Sequence, residues 1–179
     1  VPISSITYLP TNYKKVQLTH GENQFERKTF PITLVCDHIY FQQNIGSLFR
    51  ISEAFGVENI IFLGKDIPLT PRKINKTSRS THLYVPHKII EETSELVNYL
   101  QENNFEIIAL EIASNSKPLR EVNIPENQKI ALLIGSEIDG ISNELLEISH
   151  QIVHINMFGN NSSMNVVQAA SIALYEFTS

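Results

Sequence analysis

Ile155-Asn-Met-Phe-Gly-Asn-Asn-Ser-Ser-Met-Asn-Val-Val-Gln-Ala-Ala-Ser-Ile-Ala-Leu-Tyr-Glu176 decides how this chain is read. A polar, glycine-containing loop runs without interruption into an Ala-rich apolar helix. Such a loop leaves backbone donors and acceptors free at a helix N-terminus, which suits a polar small molecule. Two other stretches have the same strand–loop–helix character: Asn44-Ile-Gly-Ser-Leu-Phe-Arg50 and Gly135-Ser-Glu-Ile-Asp-Gly140. Three such loops in one small domain can converge on one site.

Around these loops the pattern is regular. Apolar runs of strand length occur at Ile32–Cys36, Asn59–Leu63, Phe105–Leu110, Lys129–Ile134 and Ile152–Ile155. A shorter one is expected at Leu83–Val85, stopped by Pro86. Between them lie helical segments. Asn44–Phe55 has Gly56 as its stop, a segment capped by Thr93 or Ser94 carries Leu96, Val97 and Leu100 on one face, and Ser142 opens a short helix through Ile148. Asn165–Phe177 is the last. Apolar strands alternating with helices predict an α/β fold: a mostly parallel sheet with helices on both faces. Ligands of such sheets bind beyond the carboxyl ends of the strands, where all three polar loops fall. Residues 1–30 read as an irregular N-terminal arm and residues 31–179 as one domain.

Composition narrows the class. The 179 residues are 42% hydrophobic and 18% charged, which reads as soluble and globular, and no stretch has the apolar length of a membrane helix. The single cysteine, Cys36, excludes an intrachain disulfide and favours a reducing compartment, hence the cytoplasm. The first residue is Val1 rather than Met, as a missing short leader or tag would leave it. A net charge of −5 argues against coating nucleic acid by bulk charge. Arg72-Lys-Ile-Asn-Lys-Thr-Ser-Arg79 is a local exception, with four cations and no acid; taken alone it is a solvated face.

Several chemistries are missing. The seven glycines never fall as G-x-G, so neither the dinucleotide fingerprint nor the P-loop is present. That weighs against a Rossmann-type methyltransferase or a flavodoxin-like module. The six histidines have no metal-site spacing, and His154, inside an apolar strand, reads as a core or interface residue. There is no G-x-S-x-G elbow. Within the candidate loops, Asn44 has the place of a helix cap, Gly46 marks a close approach, and Arg50 is either a snorkelling surface residue or an anion grip. Glu137 fits a turn, a cap or a cation contact. Ser163 and Asn165 stand at a helix start, where capping accounts for only one of them.

Taken together, the three loops resemble the signature motifs of the SPOUT-class RNA methyltransferases, in the SpoU (TrmH-like) branch. Asn44, Gly46 and Arg50 match the first motif, and Gly135, Glu137 and Gly140 the second. Ile155-Asn-Met-Phe-Gly-Asn-Asn-Ser-Ser-Met-Asn-Val166 matches the third, with Asn156 in place of the usual proline and Met164 in place of leucine. The resemblance covers about residues 31–177, with order and spacing kept. It implies a C-terminal deep trefoil knot and S-adenosylmethionine as cofactor. It also implies methyl transfer to a ribose 2′-hydroxyl of tRNA, with guanosine-18 a candidate, or of rRNA. A homodimer is expected, the Ala-rich last helix being an interface candidate. Catalytic positions are then Arg50, Asn44, Glu137, Ser163 and Asn165. Leu110, Gly135, Ile155, Met157, Met164 and Asn165 would hold the cofactor, and Arg72, Lys73, Lys76 and Arg79 the RNA. No metal is implied. The alternative is an RNA-binding or assembly protein that kept the fold; the presence of Asn44, Arg50 and Asn165 speaks for the enzyme.

Overall fold

Strand β1 (Phe30–Asp37) shows why the sheet forms. From Ile32 to Asp37 every residue is buried, so the strand is covered on both faces and reads as a continuous apolar run rather than an alternation. The computed structural model describes residues 25–69, 78–124, 128–160 and 163–179. In it β1 lies between β2 (Val57–Leu63) and β6 (Ile130–Ile134), with Leu34 opposite Ile60 on one side and Leu132 on the other. The remaining strands are β3 (His87–Ile90), β4 (Glu106–Leu110), β5 (Lys117–Pro118) and β7 (Gln151–His154). They make a seven-stranded sheet in the order β3-β2-β1-β6-β4-β7-β5, and every recorded pairing is parallel.

Successive side chains along each strand go to opposite faces. On one face Leu34, Cys36, Ile60, Phe62, Leu132 and Ile134 pack with helices α1 (Gln42–Ala54) and α4 (Val166–Thr178). On the other, Val35, Ile61, Leu63, Ala131 and Leu133 pack with α2 (Thr93–Glu102) and α3 (Asn143–Glu147). The predicted arrangement of helices on both faces is therefore observed. In α4, Ala170, Ala173 and Leu174 are turned into the core, while Ile172 and Tyr175 stay exposed. The small residues let α4 lie close on the sheet and beside α1.

Gly56 ends α1 as expected, at φ +63°, where glycine is the residue without penalty. A β-carbon there would lie 2.1 Å from the Lys28 carbonyl oxygen, and Phe30 N–H donates to Gly56 O at 2.8 Å. Those contacts seat the entry to β1. Of the expected N-terminal arm, residues 1–24 lie outside the described residues; Phe25–Thr29 are exposed and irregular, and Phe30 already belongs to β1.

Three local expectations need correction. Leu83–Val85 is not a strand: Thr81–Leu83 is a 3-10 turn, closed by Tyr84 N–H to Thr81 O at 2.9 Å, and Leu83 and Tyr84 are exposed. Pairing begins only after Pro86, whose carbonyl accepts from Ile60 N–H at 2.9 Å. Helix α2 starts at Thr93 itself, with Glu92 in the cap position, so neither Thr93 nor Ser94 caps it. Ser142 does precede α3, but its hydroxyl makes no capping bond and is buried without a partner among the described residues.

Candidate functional site

The carboxyl ends of the neighbouring strands β6, β4 and β7 open into a cleft of about 520 Å³. That is within the range of about 300–1,000 Å³ usual for small-molecule sites. Leu110 comes from the end of β4, Gly135 and Glu137 from the loop after β6, and Ile155, Met157, Ser163 and Met164 from the loop after β7; all seven line it. Its lining combines apolar Leu110, Ile155, Met157 and Met164 with the acidic residues Glu111, Glu137 and Asp139.

The loop after β6 is closed by its own backbone. Gly140 N–H donates to Ser136 O at 3.0 Å and Asp139 N–H to Ser136 Oγ at 3.1 Å. Gly135 has to be glycine here, since a β-carbon would stand 2.1 Å from the Gly140 carbonyl carbon. Gly140 lies at φ +69°, with the Glu111 carboxylate directly above it. Glu111 couples two loops: Oε1 accepts from Ile112 N–H at 2.9 Å and Oε2 from Ile141 N–H at 3.1 Å. One residue on, Ser142 N–H donates to Asp37 Oδ2 at 2.7 Å, which ties the same loop to the end of β1.

The three predicted polar positions meet. Asn44, Glu137 and Asn165 come from α1, the β6 loop and the start of α4. Asn44 Nδ2 donates to Glu137 Oε1, and Asn165 Nδ2 donates to Asn44 Oδ1 at 3.2 Å. The direction of this relay follows from its far end. Val167 N–H can only donate, and it does so to Asn165 Oδ1 at 2.9 Å, capping α4. The Asn165 amide nitrogen is then left to donate to Asn44 Oδ1, and the Asn44 nitrogen to the carboxylate. Both amide orientations are settled by the helix N-terminus.

Asn44 corrects an expectation. It does not cap α1: the cap position is Phe41, with no side-chain bond, and Asn44 is the third helical residue, 7% exposed. The helix begins three residues earlier than a cap at Asn44 would allow, which turns that amide inward to Glu137. Gly46 is buried in the same turn. Arg50 lies further along α1, exposed, and does not line the cleft. Arg72, Lys73 and Lys76 lie outside the described residues; Arg79 is exposed and away from the cleft.

Three residues of the site were not singled out from sequence for these roles: Asp37, Glu111 and His154. His154 is half-buried on the cleft wall rather than in the core, with Nδ1 2.9 Å from Ser116 Oγ and Nε2 3.1 Å from Asn156 Oδ1. Asp37 ends β1, and Glu111 follows the last residue of β4. An acid at the carboxyl end of an apolar strand is the signal that could have found both.

The model of the SpoU rRNA Methylase family matches residues 31–175. A Staphylococcus aureus protein named for the TrmH family of tRNA/rRNA methyltransferases is 26% identical over 155 residues, covering 87% of this chain and 61% of its own length. An uncharacterized tRNA/rRNA methyltransferase of Mycobacterium bovis is 31% identical over 146 residues, covering 80% and 50%. This chain thus spans one half to three fifths of those relatives. Among solved structures, the A. aeolicus TrmH/SpoU tRNA modifying enzyme superposes with a TM-score of 0.74 at 24% identity, covering 84% of this chain and 75% of that one. The SpoU methyltransferase AviRb of Streptomyces viridochromogenes, in complex with AdoMet, gives 0.73 at 22% identity, covering 86% and 58%. At these identities the likeness is one of fold.

Proposed function

Since the chain belongs to the SpoU rRNA Methylase family, we propose that it transfers a methyl group from S-adenosylmethionine to a ribose 2′-hydroxyl of tRNA or rRNA. Guanosine-18 of tRNA is the first nucleotide to test. The observation that carries this reading is the Asn44–Glu137–Asn165 relay, which joins three distant segments at one edge of the cleft. A related structure that holds AdoMet supports the choice of cofactor.

The cleft fits that cofactor on chemistry as well as size. The apolar lining of Leu110, Ile155, Met157 and Met164 suits a flat adenine, and the carboxylates of Glu111, Glu137 and Asp139 suit a cationic sulfonium. Bound there, S-adenosylmethionine supplies an electrophilic methyl whose transfer leaves a neutral thioether. The chain's own part is to place the ribose oxygen in line and ease the loss of its proton. Arg50, exposed on the helix that carries Asn44, grips a phosphate beside the target ribose and orients the 2′-hydroxyl. A guanidinium is a poor base, so a phosphate oxygen or water takes the proton. Asn44, Glu137, Ser163 and Asn165 hold the loops and the nucleotide in register.

The same reading includes a homodimer in which the partner subunit completes each site. The exposed Ile172 and Tyr175 of α4 are suited to that contact. It also includes a knotted C-terminus, and the placement of β7 between β4 and β5 is consistent with such threading. A cytoplasmic setting follows from an RNA substrate; among the described residues no helix is long and apolar enough to cross a membrane.

The test is direct. Calorimetry with S-adenosylhomocysteine reads the cleft, and transfer of tritiated methyl to unmodified tRNA and rRNA transcripts reads the chemistry. Mass mapping then locates the nucleotide. Arg50→Ala is expected to bind S-adenosylhomocysteine normally and to lose transfer by about 100-fold or more. Near-normal turnover in that variant would refute the role given to Arg50. Binding of RNA with no transfer to any transcript would favour the assembly-protein alternative.

A further inference from the structure

The loop between β1 and α1 displays two adjacent aromatic rings that the methyl-transfer site leaves unused. Tyr40 is 44% exposed and Phe41 60%. Local rules do not account for them. The cap position of α1 favours Ser, Thr, Asp or Asn, yet it holds Phe41, and no side chain caps the helix. Departures of this kind from local preference concentrate at functional positions.

Tyr40 is also braced. A β-carbon on Gly64, at the end of β2, would lie 2.7 Å from Tyr40 Oη and 3.2 Å from His38 Cδ2, so glycine there makes room for both rings. The His38 and Tyr40 rings lie 6.3 Å apart, inclined at 51°. His38 Nδ1 is 2.5 Å from Asp37 Oδ1, and Asp37 Oδ2 holds Ser142 N–H at the exit of the β6 loop. His38 sits at φ +52°, an uncommon conformation for a residue with a β-carbon. The Tyr40 ring thus rests on a side chain anchored to the site's own scaffold. Phe41 stands one helical turn before Asn44, whose amide reaches Glu137 on the cleft wall.

We propose that Tyr40 and Phe41 form a stacking platform for an unpaired base of the RNA substrate, close to the nucleotide whose ribose is methylated. The proposal rests on the methyl-transfer reading for the identity of the ligand as RNA. Sequence-tolerant binding of single-stranded RNA uses aromatic faces, since every base has a π-face to offer. With a net charge of −5, the chain has little bulk attraction for a polyanion, and stacking supplies affinity that does not depend on charge.

The chain contains no tryptophan, so Tyr40→Trp and Phe41→Trp, made singly, each create the only indole emitter. Emission is followed while unmodified tRNA or rRNA-fragment transcripts are added, with filter retention measuring RNA binding independently. Quenching that saturates with the retention curve is expected. In the transfer assay, Tyr40→Ala and Phe41→Ala should raise KM for RNA about tenfold, leaving kcat and the affinity for S-adenosylhomocysteine unchanged. Tyr40→Phe should keep the KM of the unsubstituted protein, because the ring and not the hydroxyl makes the contact. RNA retained on filters with both indoles unquenched would overturn this proposal alone, as would alanine variants of unchanged KM. Alanine variants that shift the sedimentation of the protein toward a smaller species would overturn it in favour of a subunit contact. Failure of the unsubstituted protein to bind any RNA would overturn the methyl-transfer reading and this one with it.

Discussion

Replacing Gly135 by alanine puts the construction of the cleft to a quantitative test. The added β-carbon would stand 2.1 Å from the Gly140 carbonyl carbon and 2.3 Å from both its oxygen and Ile141 N. Ordinary contact needs about 3.5–4 Å, so the backbone at Gly140–Ile141 has to retreat by more than an ångström. Three hydrogen bonds resist that movement: Gly140 N–H to Ser136 O at 3.0 Å, Ile141 N–H to Glu111 at 3.1 Å and Ser142 N–H to Asp37 at 2.7 Å. Overpacking of a closed site costs about 1–3 kcal/mol, and weakening one charge-assisted bond adds about 1 kcal/mol or more. A loss of roughly 2–4 kcal/mol is expected. For a chain of this size each kcal/mol lowers Tm by about 2–4 °C, so a fall of roughly 5–15 °C should appear in thermal unfolding. The displaced turn also forms a wall of the cleft, and affinity for S-adenosylhomocysteine should weaken at least about tenfold, or ~1.4 kcal/mol. Gly159→Ala is the control. Among the described residues nothing lies within 4 Å of its would-be β-carbon, so its Tm should stay within about 2 °C of the parent. A Gly135→Ala protein with unchanged Tm and affinity, or a Gly159→Ala protein equally damaged, would refute the reasoning.

The relay makes a second prediction: Asn44→Ala and Asn165→Ala should not add. Each single change should cost about 1–2 kcal/mol, Asn165→Ala chiefly through the lost cap on α4, and the double-mutant cycle in urea should give a coupling of at least about 0.5 kcal/mol. Strict additivity would mean that the bond between the two amides contributes nothing. Cys36 makes a third. Burial, with a smaller contribution from the neighbouring Asp37 charge, holds its thiol pKa well above the ordinary value, so the native state keeps the proton. An unfolded thiol titrates near about 8.5, so the stability this provides is fully present below that pH. It is lost as pH rises toward the native pKa, at up to about 1.4 kcal/mol per pH unit. Urea unfolding from pH 7 to 9.5 should fall more steeply for the parent than for Cys36→Ala; parallel curves would contradict it.

How much of the fold could be read in advance depended on burial. Strand β6 and the later parts of β1 and β2 are covered on both faces, so they read as mainly apolar runs, and the strand limits came out within a few residues. The outer strands carry no such signal. Three of the four residues of β3 are exposed, and β5 is the pair Lys117–Pro118. In place of β3, the short run Leu83-Tyr84-Val85 drew the expectation four to five residues too early. A short apolar run is a weak guide next to a proline, which favours a turn or a strand start over a strand interior. What decided the pairing was a tertiary bond, Ile60 N–H to Pro86 O, invisible to local sequence.

The site divides in the same way. Asn44, Glu137 and Asn165 could be proposed because three polar segments beyond strand ends can converge on one site, and because the resemblance to the family's motifs picks out these positions within them. Their mutual contact could not be read, because separations of 93 and 121 residues leave no local trace. The misreading of Asn44 as a cap is informative about why the relay exists. A capping asparagine spends its oxygen on its own helix, as Asn165 does with Val167 N–H. By starting α1 at Gln42 and putting Phe41 in the cap position, the chain frees both ends of the Asn44 amide for contacts outside the helix. One end then accepts from Asn165 and the other donates to Glu137, so the positive N-terminus of α4 is connected through two amides to the carboxylate on the cleft wall. The relay thereby fixes the orientation of Glu137 relative to the last helix. Such a device is complete only when all three segments are in place, which is why the site belongs to the tertiary structure rather than to any one of its motifs.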